Sequence, residues 1–335
     1  MLDNFMYAIN AIFPLILLIG LGYFLKQIRM FDENFFKKAN TLVFRVCLPV
    51  LLFYNIYNIE DLQSLRMDVV AYGLIVIVIL FLLGMVTVHF FIKDPKQKGV
   101  ILQCVFRSNY AIIGLPVAEA LGGSEAAAIA SLLSAFSIPL FNILAVVSLS
   151  AYTGEESGAD IKSMLRKICR NPLIIGVLCG LLALGIRSLI PQNDMGGAVF
   201  SVKKQLPFIY SAIKSLAEIA SPLALVVLGG QFTFRAVKGI KREILIGTLW
   251  RIVLAPALGL IPAVLLSRYT AVLSFGIVEF PSLIALFGSP VAVSSAIMAA
   301  EMENDEVLAG QLVVWTSLGS VLTLFIIIVL MRMIY

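Results

Sequence analysis

Histidine occurs once in the chain, at His89, and the four cysteines (Cys47, Cys104, Cys169 and Cys179) stand far apart without metal or redox spacing. A His-Glu-x-x-His zinc site is thereby excluded, and three of the cysteines fall inside apolar runs, where they pack as small hydrophobes. No Asp-rich motif for a diphosphate and magnesium is present, which removes a prenyl-transferase chemistry. No metal site and no cofactor is expected. Charge is equally scarce: Asp, Glu, Lys and Arg make up 13% of 335 residues, against 60% apolar. The net charge of +5 does not point to nucleic acid, because the basic residues lie mainly in short connections between apolar runs.

What fills the chain instead is blocks of about twenty apolar residues, the length a helix needs to cross ~30 Å of hydrocarbon. Ten such spans are predicted, near 8–25, 36–58, 69–92, 99–121, 125–152, 172–190, 207–232, 243–266, 271–300 and 306–332. Short alternating segments are missing, so the spans are helices and not barrel strands. The first run lacks a basic flank and a small-residue cleavage site, so it reads as a retained span. Of the 25 Lys and Arg residues, 15 flank the odd-numbered connections and 6 the even ones and the termini. Basic residues stay on the cytoplasmic side, so the expectation is a multi-pass protein of the cytoplasmic membrane with both termini outside. The connection after span nine dissents, holding only acid in Glu301, Glu303, Asp305 and Glu306.

The longest cytoplasmic connection, 152–171, divides the chain into two blocks of five spans. Within it, Ile161, Met164, Leu165 and Ile168 share a helical face, which reads either as a helix lying on the anionic inner leaflet or as a charged linker. The blocks look related. Pro49 in Cys47-Leu48-Pro49-Val50-Leu51 and Pro222 in Ala220-Ser221-Pro222-Leu223-Ala224 stand at nearly the same offset as Pro116 and Pro290, and Phe13-Pro14-Leu15-Ile16 resembles Asn171-Pro172-Leu173-Ile174. An odd number of spans per block inverts the second relative to the first, the plan of many secondary carriers.

Asn109-Tyr110-Ala111-Ile112-Ile113-Gly114-Leu115-Pro116-Val117-Ala118 and Gly288-Ser289-Pro290-Val291-Ala292 share a Gly-x-Pro-Val-Ala core in the fourth span of each block. A proline there lacks the N–H that the helix ladder needs, so Pro116 and Pro290 are expected to interrupt their helices, with Gly114 and Gly288 letting backbones approach. Broken backbone at membrane depth is tolerated where it is buried or lines a wet cavity. Half-helix N-termini then attract anions and unwound carbonyls attract cations. Asn109 adds an amide that supplies both donor and acceptor.

At these residues the sequence resembles the auxin efflux carrier family, which includes plant auxin exporters and bacterial malate or dicarboxylate permeases. The likeness covers nearly the whole chain and includes Cys47-Leu48-Pro49-Val50-Leu51-Leu52-Phe53 in span two and Leu228-Gly229-Gly230-Gln231-Phe232 at the end of span seven. It implies a scaffold domain (1–68 and 172–235), a transport domain (69–152 and 236–335), a linker at 153–171, two crossed broken helices, and an elevator-like movement of substrate. Two departures are plain: Leu283 stands where a second Asn would precede Pro290, and the long polar insert of large plant members is missing. The expected partners are a small organic anion, the lipid bilayer and a second copy of the chain.

Arg45, Arg107 and Arg251 each lie about eight residues from the cytoplasmic start of their spans, ~12 Å deep at the helical rise. Guanidinium matches carboxylate bidentately, so an inner vestibule holding one of them gathers organic anions; Arg107, two residues before Asn109, is favoured. Snorkelling toward headgroups or a fixed ion pair is the structural alternative. The predicted substrate-binding set is thus Arg45, Pro49, Arg107, Asn109, Gly114, Pro116, Gly288, Ser289 and Pro290. Glu119 and Glu279 are candidates to carry a coupling proton, and Lys214 and Glu218, four apart, are expected to pair. A sodium-coupled bile-acid-type symporter is a close rival, with Ser289, Ser294 and Ser295 able to supply oxygen ligands; a non-transporting sensor is another.

Overall fold

The structure is a computed structural model that describes residues 2–58, 66–152, 172–189, 201–232, 239–270 and 273–334. The connection 153–171, with its Ile161–Arg170 segment, lies outside these, as does Cys169. The described residues form helices and no strands: α1 (Leu2–Gln27), α2 (Glu33–Leu42), α3 (Leu48–Tyr57), α4 (Met67–Phe91), α5 (Pro95–Phe106), α6 (Leu115–Ser150), α7 (Pro172–Leu189), α8 (Val202–Gln205), α9 (Pro207–Gln231), α10 (Lys241–Leu249), α11 (Ala255–Tyr269), α12 (Phe280–Gly288), α13 (Ser294–Glu301) and α14 (Glu306–Ile334). Among the described residues, seven helical stretches are long and apolar enough to cross a membrane, and Pro172–Arg187 is a shorter apolar one.

Connections stop and start these helices by local chemistry. The Asp32 carboxylate accepts the Phe35 N–H at 2.7 Å, Asp94 accepts that of Lys96 at 2.9 Å, and Asp305 that of Leu308 at 2.9 Å. Each satisfies one of the donors that a helix N-terminus leaves open. The stretch Tyr110–Ser150 is 41 residues long, about twice what a bilayer needs. It is divided at Gly123, whose φ of 63° and ψ of −155° suit a residue without Cβ.

Three π-turns share one sequence cause. Val43–Cys47, Tyr110–Gly114 and Trp250–Leu254 each lead into a helix whose second residue is proline: Pro49, Pro116 and Pro256. Proline has no N–H to return to the preceding turn, and one wide turn accommodates its ring while the helix continues. Pro116 therefore does not break its helix, contrary to expectation. The break in that span lies earlier, at Arg107–Asn109 between α5 and the π-turn, whereas Pro290 does sit in a break, between α12 and α13. The Gly-x-Pro-Val-Ala likeness joins non-equivalent points.

The glycines differ from expectation too. A Cβ on Gly114 would run into the Tyr110 ring, and one on Gly288 into Leu324, so both make room for side chains and not for a neighbouring backbone. Backbone approach occurs elsewhere: Gly22 and Gly229 seat α1 against α9, where a Cβ on either would strike the other helix's main chain, and Gly176 does the same for α7 against Pro49. Gly230 leaves room for Phe36, which gives the Leu228-Gly229-Gly230-Gln231-Phe232 motif a packing role.

α1, α3, α7 and α9 pack on one another, while α4, α5, α6, α12, α13 and α14 form the other cluster; the two meet along α1 with α14 and α3 with α6. Apolar side chains point outward in stripes, such as Ile75, Ile79, Leu82, Val86 and Phe90 on α4 and Leu318, Leu322, Ile326 and Leu330 on α14. Stripes at helical spacing on an outer surface fit hydrocarbon as the solvent.

Candidate functional site

The two unwound segments meet each other. The Asn109 N–H donates to the Pro290 carbonyl at 2.7 Å, and Ser108 and Val291 form an antiparallel bridge. The Val291 N–H in turn donates to the Thr316 hydroxyl at 3.2 Å. Each break thus meets part of its backbone need from the other chain segment, the condition for irregular backbone at this depth.

Side chains at the crossing are buried and incompletely satisfied. Asn109 and Ser108 are each 4% exposed and Ser295 is 2% exposed. Among the described residues, the Asn109 Nδ2, Ser108 Oγ and Ser295 Oγ have no hydrogen-bond partner. Unmet buried polar atoms are rare in native proteins and call for a ligand, ion or water.

Arg107 is 4% exposed and holds only neutral acceptors: Gln103 Oε1 at 3.2 Å, Asn142 Oδ1 at 3.0 Å, Ser294 Oγ at 3.0 Å and Met298 Sδ at 2.7 Å. These come from α5, α6 and α13. No carboxylate pairs with it among the described residues. A guanidinium withdrawn from water without a counter-ion is costly, and its cation is available to an anion.

Arg251, on the π-turn between α10 and α11, is 0% exposed and binds the main chain around the second break. Its Nε donates to the Ser289 carbonyl at 2.9 Å, its Nη2 to Leu286 at 3.0 Å and Phe287 at 2.9 Å, and its Nη1 to Val105 at 3.3 Å. Arg45 joins neither: it is exposed on the π-turn between α2 and α3. Three arginines of similar depth therefore have three environments, which periodicity alone does not separate.

Of the remaining predicted residues, Ser289 is spent internally, its hydroxyl donating to the Ala285 carbonyl at 2.6 Å and its carbonyl accepting from Arg251. Pro49 supports the α3–α7 contact. Pro116 and Glu119 line a cavity of about 310 Å³ between α1, α3, α9 and α6, together with Tyr54, Asn55, Glu218 and Pro222. Glu119 has neither an ion pair nor a hydrogen bond among the described residues, whereas Lys214 and Glu218 pair at 3.6 Å. Glu279 is 8% exposed and engaged: one oxygen pairs with Arg66, which also holds Asp68 at 2.7 Å, and the other accepts the Gly276 N–H at 2.7 Å. Among the described residues no group of His, Cys, Asp and Glu is placed to hold a metal.

Two broken helices thus cross among apolar helices of membrane-spanning length, and comparison with known proteins points to transport. A family model described as membrane transport protein matches residues 7–328. The chain belongs to this auxin-efflux-carrier-like family of membrane transport proteins. It is also similar to an uncharacterized transporter of Methanocaldococcus jannaschii, 27% identical over 263 residues that cover 75% of this chain and 78% of that protein. The protein is thus a multi-pass membrane protein of a transporter family.

Sequence reasoning missed Gln103, Asn142, Met298 and Thr316, which hold Arg107 and the second break. Gln103, Asn142 and Thr316 are polar residues inside apolar runs, and that signal was available.

Proposed function

We propose that the protein is a secondary carrier of small organic anions, carboxylates of the malate or auxin-like kind, working by elevator-type alternating access in the cytoplasmic membrane. The observation that carries this reading is the crossing itself. Two half-helix N-termini, at Tyr110 and Ser294, begin where Arg107 and the unpartnered Asn109 Nδ2, Ser108 Oγ and Ser295 Oγ are gathered. Helix N-termini favour negative charge, and Arg107 adds a full cation whose terminal N–H groups rest on neutral side chains that a carboxylate would displace.

In this reading the chain has ten spans as two inverted blocks, with both termini outside. α1, α3, α7 and α9 are the stationary scaffold, and the cluster bearing the crossing is the moving part. The cavity between them is the outer approach to the site, of a size suited to small ligands. Glu119, unpaired on its wall, is the carboxylate open to a coupling proton; Glu279, fixed by Arg66 and Gly276, is not. Export is the proposed direction.

Counterflow in liposomes tests the reading, with purified wild type and Asn109→Ala compared on a panel of dicarboxylates and aromatic acids. Saturable exchange of one acid, lost in the variant, is the expected result. Absence of exchange for every acid by folded wild-type protein would sink it.

A further inference from the structure

The four carbonyls that Arg251 binds are not a random set. Leu286, Phe287 and Ser289 belong to the C-terminal end of α12 and the break beyond it, and Val105 to the last turn of α5. Both half-helices end at the crossing, and helix C-termini carry unmet carbonyls and the negative end of the macrodipole. Converging carbonyl oxygens at membrane depth are the chemistry that accepts an alkali cation in carriers with broken helices. In this protein a guanidinium from the chain itself fills that place, fully buried.

We propose that Arg251 is a tethered cation: it permanently occupies the carbonyl site at the crossing, so that substrate movement there requires no sodium. This rests on the carrier reading above and decides between it and a sodium-coupled symporter. With both C-terminal ends neutralised, the field at the crossing is set by the two opposite N-termini and Arg107, and it favours an anion. Arg251 itself touches no substrate. It is a positioning residue whose charge holds two helix ends together and fixes the sign of the site.

Two measurements on the full-length purified protein test this. In liposomes, wild-type carboxylate exchange is expected to be unchanged when sodium is replaced by choline on both sides. In detergent, the melting curve of Arg251→Ala, followed by fluorescence of Trp250 and Trp315, is expected to fall well below wild type and to recover in part, by about 5 °C, with methylguanidinium or sodium but not with choline. The wild-type curve should respond to none of them. Should the alanine variant not fold, Arg251→Lys keeps the charge and is expected to fold and to exchange without sodium. Sodium-dependent exchange by the wild type or the lysine variant, or an alanine variant melting identically in all three salts, would overturn the proposal. Wild-type silence toward every acid would instead overturn the carrier reading, and the melting curves would still decide the role of Arg251.

Discussion

The two breaks that cross inside this protein solve the same problem by opposite means. At Arg107–Asn109, side chains face the crossing with donors and hydroxyls to spare, and the arginine rests on neutral acceptors. Around Ser289–Val291 it is the backbone that is exposed to need, and Arg251, Asn109 and Thr316 meet it. One break offers unspent polar groups; the other consumes them. The two breaks thus differ in kind: the first leaves side-chain polar groups unspent, and the second is held through its main chain.

Variants that remove one side at a time test that division, and the largest effect is expected at the second break. Arg251→Ala leaves four buried carbonyls without donors, and an unmet buried group costs about 1–3 kcal/mol. Its melting temperature should fall further than that of any other variant here, with exchange lost alongside. A variant that melts like wild type would erase the contrast. Arg107→Met is expected to show the opposite profile, with exchange abolished but melting lowered less, because the acceptors it leaves are side chains that can turn to other partners, whereas main-chain carbonyls cannot.

Asn109→Ala sharpens the comparison within the first break. Its Nδ2 has no partner to lose among the described residues, so stability should stay within about 1 kcal/mol of wild type while exchange drops about tenfold, an effect of roughly 1.4 kcal/mol. Thr316→Val removes the acceptor of the Val291 N–H and should cost about 1 kcal/mol, read as a lower melting temperature with exchange slowed and not abolished. The smallest change is expected for Glu279→Gln. Its ion pair with Arg66 is partly exposed on the arginine side, and such pairs contribute about 0–1 kcal/mol. The pH profile of exchange should match wild type, whereas Glu119→Gln should alter it.

Much of the architecture was legible beforehand because hydrocarbon imposes a length and a composition that any reader of the chain can count. The boundaries near 36–58, 69–92, 207–232 and 306–332 agree closely with helical stretches Glu33–Tyr57, Met67–Phe91, Pro207–Gln231 and Glu306–Ile334. Asn109 stood out because an amide in an apolar run demands partners. The point of breakage in span four did not: Pro116 looked like the interruption, but a π-turn absorbs a proline, and the helix fails instead at Arg107–Asn109, where the second segment supplies a carbonyl.

What the sequence determined by itself is the solvent, the number and length of apolar runs, and the presence of proline and asparagine within them. These follow from transfer free energy and from missing or unmet backbone groups, which are local properties. Which arginine is spent and which is free was decided only in three dimensions. Arg45, Arg107 and Arg251 look alike in the chain, yet one is exposed, one rests on neutral side chains and one binds two helix ends. A cation's role is set by the oxygen atoms that distant segments bring to it, and Val105 and Phe287 reach Arg251 from more than thirty positions away in the chain.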